Sequence, residues 1–471
     1  MKAFDLDPYL QGGLRLDKDD SLGTDCLLKA YGCKISAFGA VPAPDIFCPF
    51  PVAVAAPFPA LFKNEKNHLV LATEDKVYTV DDSWALTEQQ LMTLGSYVNS
   101  VLTPVYTTIS SPGQWHHADF TGGWMLFNGQ AMVISYPNVG VFCSTAPLAG
   151  TGCFYKNRMV FGDVASFFSA AYRAKVNSLT GETLGPLTQQ SLLYTATDCE
   201  DLMWYLFPWS LTTKDRYLRL MERQEGNDLN LPWAEKTLCV KPLGEGVMVY
   251  TKEQALYLEL KGNMLAFGRE FSFGSCSRAV GGDKNVHAFI DSEGRLRLLG
   301  ADLKYKVVGG REYFEQLSPE SIAITPFETV GDFVVTGDRG SWLLHNDKLS
   351  ELPYRVPSVV SVGGTPMGCY EENIDRSFRL LTGIIQAPTP LFTAKGIQVS
   401  SNNPVALRGS FHYRDSSGGF KSTPMEQLGA DGVLDLHQTA TEFAVELEGD
   451  SYRDCCVRSL QLLYNDDRVA L

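Results

Sequence analysis

The sequence predicts an all-β protein: a β-propeller of about six to seven irregular blades, with an extended N-terminal arm and a C-terminal antiparallel β-sandwich-like domain. Three observations predict it. Two-strand units of similar plan recur in the middle of the chain, alternating strands fill its last fifth, and helical periodicity is scarce. Glycine (42) and proline (24) among 471 residues indicate many turns. We place the arm at residues 1–60, the propeller at 61–375 and the sandwich at 376–471.

A proline-rich stretch predicts the N-terminal arm. Six prolines lie between Val41 and Phe62. Proline has no N–H to donate and fixes φ, so this density disfavours both a helix and a central strand. The stretch also carries Phe47, Phe50, Phe58 and Phe62, apolar side chains that an isolated arm would not leave in water. We therefore expect the arm to lie on a neighbouring subunit, with these phenylalanines as contacts.

Five hairpin-like segments and one partial copy predict the propeller. Each has a short apolar strand, a polar turn of two to four residues and a second, alternating strand, as in a hairpin with one buried face. The segments are His68–Asp82, Trp124–Pro137, Val247–Leu260, His287–Gly300 and Phe333–Asp347, with Cys153–Asp163 as the partial copy. Four-stranded blades repeat at about 40–50 residues. The longest interval, from 153 to 247, fits two blades or one blade with an insertion.

One stretch inside that long interval has helical character. It is Ala196–Arg223, where Asp198 and Asp201 favour a helix start and Pro208 would break a continuous helix. We expect two short helical pieces or an irregular insertion there.

Alternating segments predict the C-terminal sandwich. Polar and glycine-containing turns separate six strand candidates. They are Leu380–Gln386, Ala394–Ser400, Val405–Tyr413, Gly432–Leu436, Glu442–Glu448 and Ser459–Tyr464.

The charge balance restricts the class of protein. With 40 Lys and Arg against 54 Asp and Glu, the formal net charge is −14. Firm binding of nucleic-acid phosphates needs clustered Lys and Arg, so the charge balance disfavours a protein that holds DNA tightly. The same balance is compatible with a passage through which DNA slides without adhering. The sequence has no run of about 18 consecutive apolar residues, so we do not expect a membrane-spanning helix. The acidic start disfavours a signal peptide, so we expect assembly in the cytoplasm and buried thiols rather than disulfides.

Motifs for catalysis and cofactor binding are not evident. The sequence has no GxxxxGK[ST] or GxSxG pattern. His116, His117 and Asp119 are the best metal candidates, but neighbouring residues of a strand point to opposite faces, and we interpret them as a polar turn leading into the strand at Trp124. We therefore predict no catalytic residue, cofactor or metal.

Carboxylate pairs and tryptophans leave two alternatives open. Propeller glycosidases use two carboxylates, and the candidates here are Glu74/Asp75, Asp81/Asp82 and Asp198/Glu200/Asp201. Exposed aromatic side chains bind sugars, and the seven tryptophans are Trp84, Trp115, Trp124, Trp204, Trp209, Trp233 and Trp342. We interpret the carboxylate pairs as residues of solvated turns and the tryptophans as residues of the packed core. The alternatives are a polysaccharide hydrolase or lyase and a glycan- or receptor-binding module.

The segment Gly12–Pro44 has a recognisable layout. A strap with Gly and Asp precedes a Leu-X-X-Ala run, a basic β segment and a Gly before a proline-containing turn, although Gly32 stands where a polar residue is expected. The matching residues are Leu27, Leu28, Ala30, Tyr31, Gly32, Cys33, Lys34, Ile35, Gly39 and Pro42. Together with His117–Gly129, Tyr155–Asp163 and Leu380–Ile385, this resembles the tail hub (packaged-DNA stabilisation) and nozzle proteins of short-tailed bacteriophages, the podoviruses.

The resemblance implies a structural virion protein of the phage tail without enzyme activity. It implies a homo-oligomeric ring, a hexamer, below the portal and adaptor. Such a ring would retain and conduct the packaged genome, in non-specific proximity to double-stranded DNA. The net negative charge suits this role, because like charges prevent adhesion during ejection.

Overall fold

The structure is a computed structural model that describes most of the chain. It leaves out residues 15–25, 51–58, 65–67, 94–96, 99–100, 111–112, 121–122, 137–139, 145–147, 165–187, 196–226, 263, 363–364, 372–375, 390–391, 416–417 and 467–471. Phe58 and the predicted helical stretch Ala196–Arg223 therefore lie outside the described residues.

The predicted all-β class is confirmed, because strands make up nearly all the regular structure of the described residues. The N-terminal elements are β1 (Lys2–Asp5), α1 (Asp7–Gly12), β2 (Leu27–Tyr31), β3 (Cys33–Ser36) and β4 (Gly39–Pro42). The α-helices of the described residues are short; the second, α2, is Arg311–Phe314.

Seven small sheets follow, and their strands are antiparallel except for one parallel pair. The first holds β5 (Ala60–Lys63), β6 (Leu69–Ala72), β7 (Val77–Val80) and β8 (Leu86–Glu88). The second holds β9 (Leu91–Thr93), β12 (Tyr106–Thr107), β13 (His116–Phe120), β14 (Gly123–Phe127), β15 (Met132–Tyr136) and β16 (Gly140–Ser144), with β10 (Tyr97–Val98) and β11 (Val101–Leu102) paired separately. The third holds β17 (Thr151–Tyr155), β18 (Arg158–Gly162), β19 (Ser191–Tyr194) and β20 (Asn227–Asn230).

The remaining four sheets continue the pattern. The fourth holds β21 (Cys239–Leu243), β22 (Gly246–Tyr250), β23 (Ala255–Lys261) and β24 (Met264–Phe271). The fifth holds β25 (Gly281–Gly282), β26 (Val286–Ile290), β27 (Leu296–Gly300) and β28 (Tyr305–Gly309). The sixth holds β29 (Ala323–Pro326), β30 (Phe333–Gly337), β31 (Gly340–His345) and β32 (Lys348–Glu351), and the seventh holds β33 (Arg355–Val362) and β34 (Thr365–Glu371).

The C-terminal strands are β35 (Phe378–Thr382), β36 (Ile385–Gln386), β37 (Phe392–Ser401), β38 (Leu407–Arg414), β39 (Phe420–Ser422), β40 (Glu426–Gln427), β41 (Val433–Ala440), β42 (Glu442–Gly449) and β43 (Val457–Asp466). Short 3₁₀ turns lie at Pro404–Ala406 and Tyr452–Asp454.

All five predicted hairpins exist, as the pairs β6–β7, β14–β15, β22–β23, β26–β27 and β30–β31. A polar residue closes several of the turns. Thr73 Oγ1 accepts from Lys76 N at 3.1 Å, Asn128 Oδ1 from Ala131 N at 2.8 Å, and Asp291 Oδ1 from Arg295 N at 2.9 Å. The partial copy Cys153–Asp163 forms β17–β18, and the long interval after it contains one described sheet rather than two.

Buried apolar side chains fill the spaces between successive sheets. Leu126 and Val70, from the second and first sheets, belong to one buried cluster. Phe127 contacts Phe161 of the third sheet at a ring-centroid distance of 6.2 Å, and Tyr250 contacts Phe289 at 5.0 Å, between the fourth and fifth sheets. Sheets packed face to face in sequence order give a propeller-like arrangement.

The N-terminal region differs from the extended arm that the sequence predicts. Among the described residues 1–14 and 26–50, β1 pairs with β43 and β4 contacts the same strand. β2 pairs with β32 of the sixth sheet on one side and with β35 on the other, which joins both into an eleven-stranded sheet. The prediction was wrong because five of the six prolines come after β4 in the sequence and Pro42 is its last residue, while hydrogen-bond partners distant in sequence satisfy the strand backbones.

Two sheets face each other at the C-terminal end. One contains β3, β4, β43, β37 and β41, with β1 at its side, and the other contains β35, β42 and β38. Phe392 of the first stacks on Phe443 of the second, with ring centroids 5.5 Å apart and planes 3° apart. Both belong to one buried cluster that extends into the fifth and sixth sheets. The core is thus continuous from the small sheets to the C-terminal pair.

None of the helices in the described ranges is both long and apolar enough to cross a membrane.

Candidate functional site

A cavity of about 700 Å³ lies where the seven small sheets meet. One edge strand from each sheet contributes to its wall: β5, β13, β17, β21, β25, β29 and β33, with the residues beside them. Because these strands span about 300 residues of sequence, the fold itself creates the site.

The edge strands follow one another around the cavity. β13 packs on β17, β17 on β21, β25 on β29, β29 on β33, and β33 on β5. Side-chain contacts join the two remaining neighbours, β5 with β13 and β21 with the residues beside β25. The Phe62 ring stacks on the His117 imidazole with centroids 5.1 Å apart, and Lys241 Nζ donates to the Val280 carbonyl at 2.9 Å. The ring of contacts therefore closes on itself.

The HHAD segment lies on strand β13, not in the turn that the sequence predicts. His116 and His117 point to opposite faces, as alternation requires. His117 Nε2 lies 3.0 Å from Asp119 Oδ1, an ion-pair distance, although its geometry does not meet that of a hydrogen bond. Both side chains are on the face towards β5, where His117 contacts Phe62.

His116 is on the opposite face, in a positively charged environment. Burial, assisted by the charges of Arg278 and Lys241, lowers the pKa of His116 to about 3, so the imidazole is neutral near pH 7. Its Nε2 is buried and has no hydrogen-bond partner among the described residues.

Lys241 is the central cation of the wall. Part of its side chain is accessible through the cavity, yet surrounding protein lowers its pKa by desolvation. The Val280 carbonyl accepts one of its three N–H groups. It takes part in none of the ion pairs that the described residues form, and Asp283 is the carboxylate whose charge acts on it.

Arg278 lies behind this wall and is paired with a carboxylate. It donates from Nη2 to Asp163 Oδ2 at 2.6 Å and from Nη1 to the Gly150 carbonyl at 2.5 Å. Lys236 Nζ is 3.1 Å from the same Asp163 oxygen. Unlike Arg278, Lys241 therefore has no carboxylate partner among the described residues.

The charged residues of the cavity have the opposite sign to the chain as a whole. Four cationic residues line it, Lys63, Lys241, Lys284 and Arg355, against Asp119 and Asp283. Leaving the two histidines aside, the lining carries two positive charges in excess, in a chain of net charge −14. The electrostatics favour a negatively charged occupant.

Two cysteines in the wall are buried thiols. Burial raises the pKa of both Cys153 and Cys239, so neither forms a thiolate readily at neutral pH. Cys33, in the N-terminal sheet, is likewise a buried free thiol.

Among the phenylalanines predicted as subunit contacts, the three that the structure describes occupy different environments. Phe47 is 50% exposed, makes an edge contact with Trp84 at 6.2 Å, and lies beside Met367 of β34. Phe50 is buried against the first and seventh sheets, and Phe62 lines the cavity. Phe50 is therefore covered by its own chain and Phe62 is partly buried, while Phe58 lies outside the described residues. That these side chains contact a neighbouring subunit stays a prediction.

The carboxylates considered for glycoside hydrolysis support turns where the structure describes them. Asp75 Oδ1 accepts from Thr73 Oγ1 at 3.0 Å, and Asp81 Oδ1 accepts from Ser83 and Ala85. Neither lines the cavity. The Asp198 group lies outside the described residues.

The described tryptophans are mainly packing residues. Trp115, Trp124 and Trp342 are buried, and Trp115 Nε1 donates to the Thr73 carbonyl at 2.8 Å. Trp84 and Trp233 are partly exposed, and Trp204 and Trp209 lie outside the described residues.

The described part of the chain brings no three His, Cys, Asp or Glu side chains together as a metal site. Sequence reasoning missed the Lys241–His116 pair. The available signal was a lysine inside an apolar strand, CVKPL, but its partner lies more than a hundred residues earlier.

Comparisons with known proteins give weak structural likenesses. No family model matches the chain, and no curated protein matches it. PorZ, a bacterial surface component of the type-IX secretion system of Porphyromonas gingivalis, has a TM-score of 0.36 at 8% identity, covering 69% of this chain and 35% of PorZ. BBS1N, solved in complex with ARL6DN, has a TM-score of 0.36 at 10% identity, covering 69% of this chain and 88% of that one. The chain thus spans about a third of PorZ, and these scores assign it neither a family nor an activity.

Proposed function

We propose that the seven small sheets are the blades of a closed seven-bladed β-propeller and that the two C-terminal sheets form a β-sandwich. The continuous ring of edge-strand contacts supports the propeller. The two-stranded seventh sheet gains a third partner at Phe47, whose carbonyl accepts from Gly368 N at 3.0 Å. The Phe392–Phe443 stack supports the sandwich.

We further propose that the chain is a structural, non-catalytic virion protein of a short-tailed bacteriophage. It would form a homo-oligomeric hub or nozzle ring of about six copies beneath the portal and adaptor, assembled in the host cytoplasm. The observation that carries this proposal is the insertion of β2 between β32 and β35. A ring subunit must hold its small sheets and its C-terminal sheets in a fixed orientation. A continuous hydrogen-bonded sheet between them resists hinge motion better than a flexible linker does.

Exposed apolar side chains on outer strands provide a candidate lateral interface. Phe267 on β24 is 39% exposed, and Tyr305 and Val307 on β28 are 49% and 40% exposed. The two strands are close, since Arg269 Nη1 donates to the Leu303 carbonyl at 3.2 Å. We propose that these residues, rather than the predicted arm, contact the neighbouring subunit of the ring, because rings close through heterologous patches of this kind.

The distribution of charge suits a passage for DNA. The cavity lining is positive, so the acidic excess of the chain lies outside it. An acidic outer surface repels the phosphate backbone and allows DNA to move without adhering.

The experiment is a mass measurement of the full purified chain at micromolar concentration, followed by electron microscopy. We expect closed rings of about six times the monomer mass. The double variant Phe267→Ser, Tyr305→Ser should remain monomeric, while the control Phe420→Ser, at an exposed site on β39, should assemble. A wild-type chain that stays monomeric, and is missing from purified phage particles encoded by the same genome, would refute the proposal.

A further inference from the structure

We propose that the cavity binds the phosphate or carboxylate group of a small molecule through Lys241 and His116. This site is independent of ring assembly, since its residues face the interior of one chain.

Lys241 supplies the charge and the donors. One N–H of its ammonium group goes to the Val280 carbonyl, and two others remain for a ligand. The nearby Asp283 does not form an ion pair with it. Its two carboxylate oxygens accept from the backbone and side chain of Asn285, at 2.8 Å and 3.1 Å. A cation held in protein without a counter-charge is costly, and an oxyanion would remove that cost.

His116 supplies a second donor. Its buried Nε2 lacks a partner among the described residues, and it is close enough to Lys241 for that charge to act on it. With the proton on Nε2, the neutral imidazole donates one hydrogen bond. Buried polar groups are normally satisfied, so an unsatisfied one in a cavity wall indicates an absent partner.

A third unsatisfied group lines the same cavity. Thr325 Oγ1, on β29, is buried without a hydrogen-bond partner among the described residues. A hydroxyl can donate to an oxyanion or bind another polar part of the ligand. The cavity of about 700 Å³ has room for more than a free phosphate ion, so we infer a small organic molecule bearing the oxyanion.

The test measures thermal unfolding of the full chain with inorganic phosphate, with acetate, and with chloride at matched ionic strength. A ligand that binds only the folded state raises the melting temperature. We expect a rise of about 2 °C or more with phosphate or acetate over chloride. Whichever anion gives the larger rise identifies the preferred group.

Two lysine variants separate the site from general charge effects. Lys241→Met should abolish the rise and, without ligand, should melt at a higher temperature than the wild type, because an uncompensated cation has been removed. Lys284→Met removes an exposed cation of the same cavity lining and should keep the rise. Should Lys241→Met fail to fold, Lys241→Arg, which keeps the charge, should fold and retain the rise.

A histidine readout gives an independent check. NMR titration should show the His116 imidazole signals shifting on phosphate addition in the wild type but not in Lys241→Met. No rise over chloride in the wild type, or an equal rise in Lys241→Met, would overturn the proposal.

Discussion

The Tyr250 hydroxyl donates a hydrogen bond across 2.9 Å to Nδ1 of His287, which lies on the neighbouring sheet. His287 Nε2 in turn donates to the Pro242 carbonyl at 2.9 Å. The neutral imidazole with the proton on Nε2 satisfies both contacts. Burial, assisted by the charge of Lys241, lowers the pKa of His287 to about 3.

The first prediction concerns acid stability. The unfolded chain protonates His287 near pH 6.5, whereas the folded chain does so only near pH 3. The unfolded state therefore binds more protons in this window, and the free energy of unfolding should fall as the pH falls, by up to about 1.4 kcal/mol per pH unit from this residue. Urea unfolding midpoints between pH 7 and 4 measure it. His287→Gln should flatten the dependence, while His437→Gln, at an exposed site, should not; equal slopes in all three proteins would contradict the assignment.

The second prediction concerns the junction of the C-terminal sheets. Phe392 is fully buried on Phe443, so Phe392→Ala should lower the free energy of unfolding by about 3–5 kcal/mol through lost burial and a cavity. Urea unfolding followed by tryptophan fluorescence is the measurement. Phe420→Ala, at a side chain 42% exposed, is the matched control and should cost less than about 1 kcal/mol. Similar losses in the two variants would show that the stack does not hold the sheets together.

The third prediction concerns Gly39, the first residue of β4, which follows the turn from β3. It has φ +98°, and an added Cβ would lie 2.2 Å from the Val457 carbonyl oxygen. Gly39→Ala should therefore cost more than about 3 kcal/mol, combining strain and displacement of the C-terminal strand. Gly262, with φ +63° and open space around it, is the control, and Gly262→Ala should cost about 1–2 kcal/mol. Thermal unfolding compares them, and an equal loss would mean that the turn moves freely away from Val457.

The fourth prediction concerns the buried Asp291. Its carboxylate accepts from Glu293 N at 3.0 Å, Arg295 N at 2.9 Å and Arg297 Nε at 2.5 Å. Asp291→Ala removes the acceptor of all three hydrogen bonds and leaves the Arg297 guanidinium without its carboxylate. We therefore expect the free energy of unfolding to fall by about 3–5 kcal/mol. Asp302→Ala removes an exposed turn carboxylate, and by the same urea measurement it should cost far less than Asp291→Ala. A small loss for Asp291→Ala would show that solvent readily replaces these bonds.

Local patterns predicted the strands well. The five hairpins were found because alternation and turn residues are properties of neighbouring positions, such as Thr73 with Lys76 or Asp291 with Arg295. The C-terminal strands were found for the same reason. The pairing of β2 was not, because nothing near Leu27 in sequence shows that Thr382 will lie beside it.

The candidate site could be predicted only in part. The HHAD residues attracted notice as polar groups, but the sequence placed them in a turn. Lys241 and His116 come together only after the sheets are arranged around the cavity, so no spacing in the sequence reports their proximity. Sites assembled from many strands are visible only once the fold is known.

The pairing of Lys2–Asp5 with the strand that ends at Asp466 has a consequence for biosynthesis. At about 5–20 residues per second, the ribosome takes roughly 20–90 s to deliver that partner after the first strand has emerged. Throughout this interval the nascent chain presents unpaired strand edges. Neighbouring nascent chains on one polysome could exchange these strands, so production at low temperature or with chaperones should raise the yield of correctly folded protein.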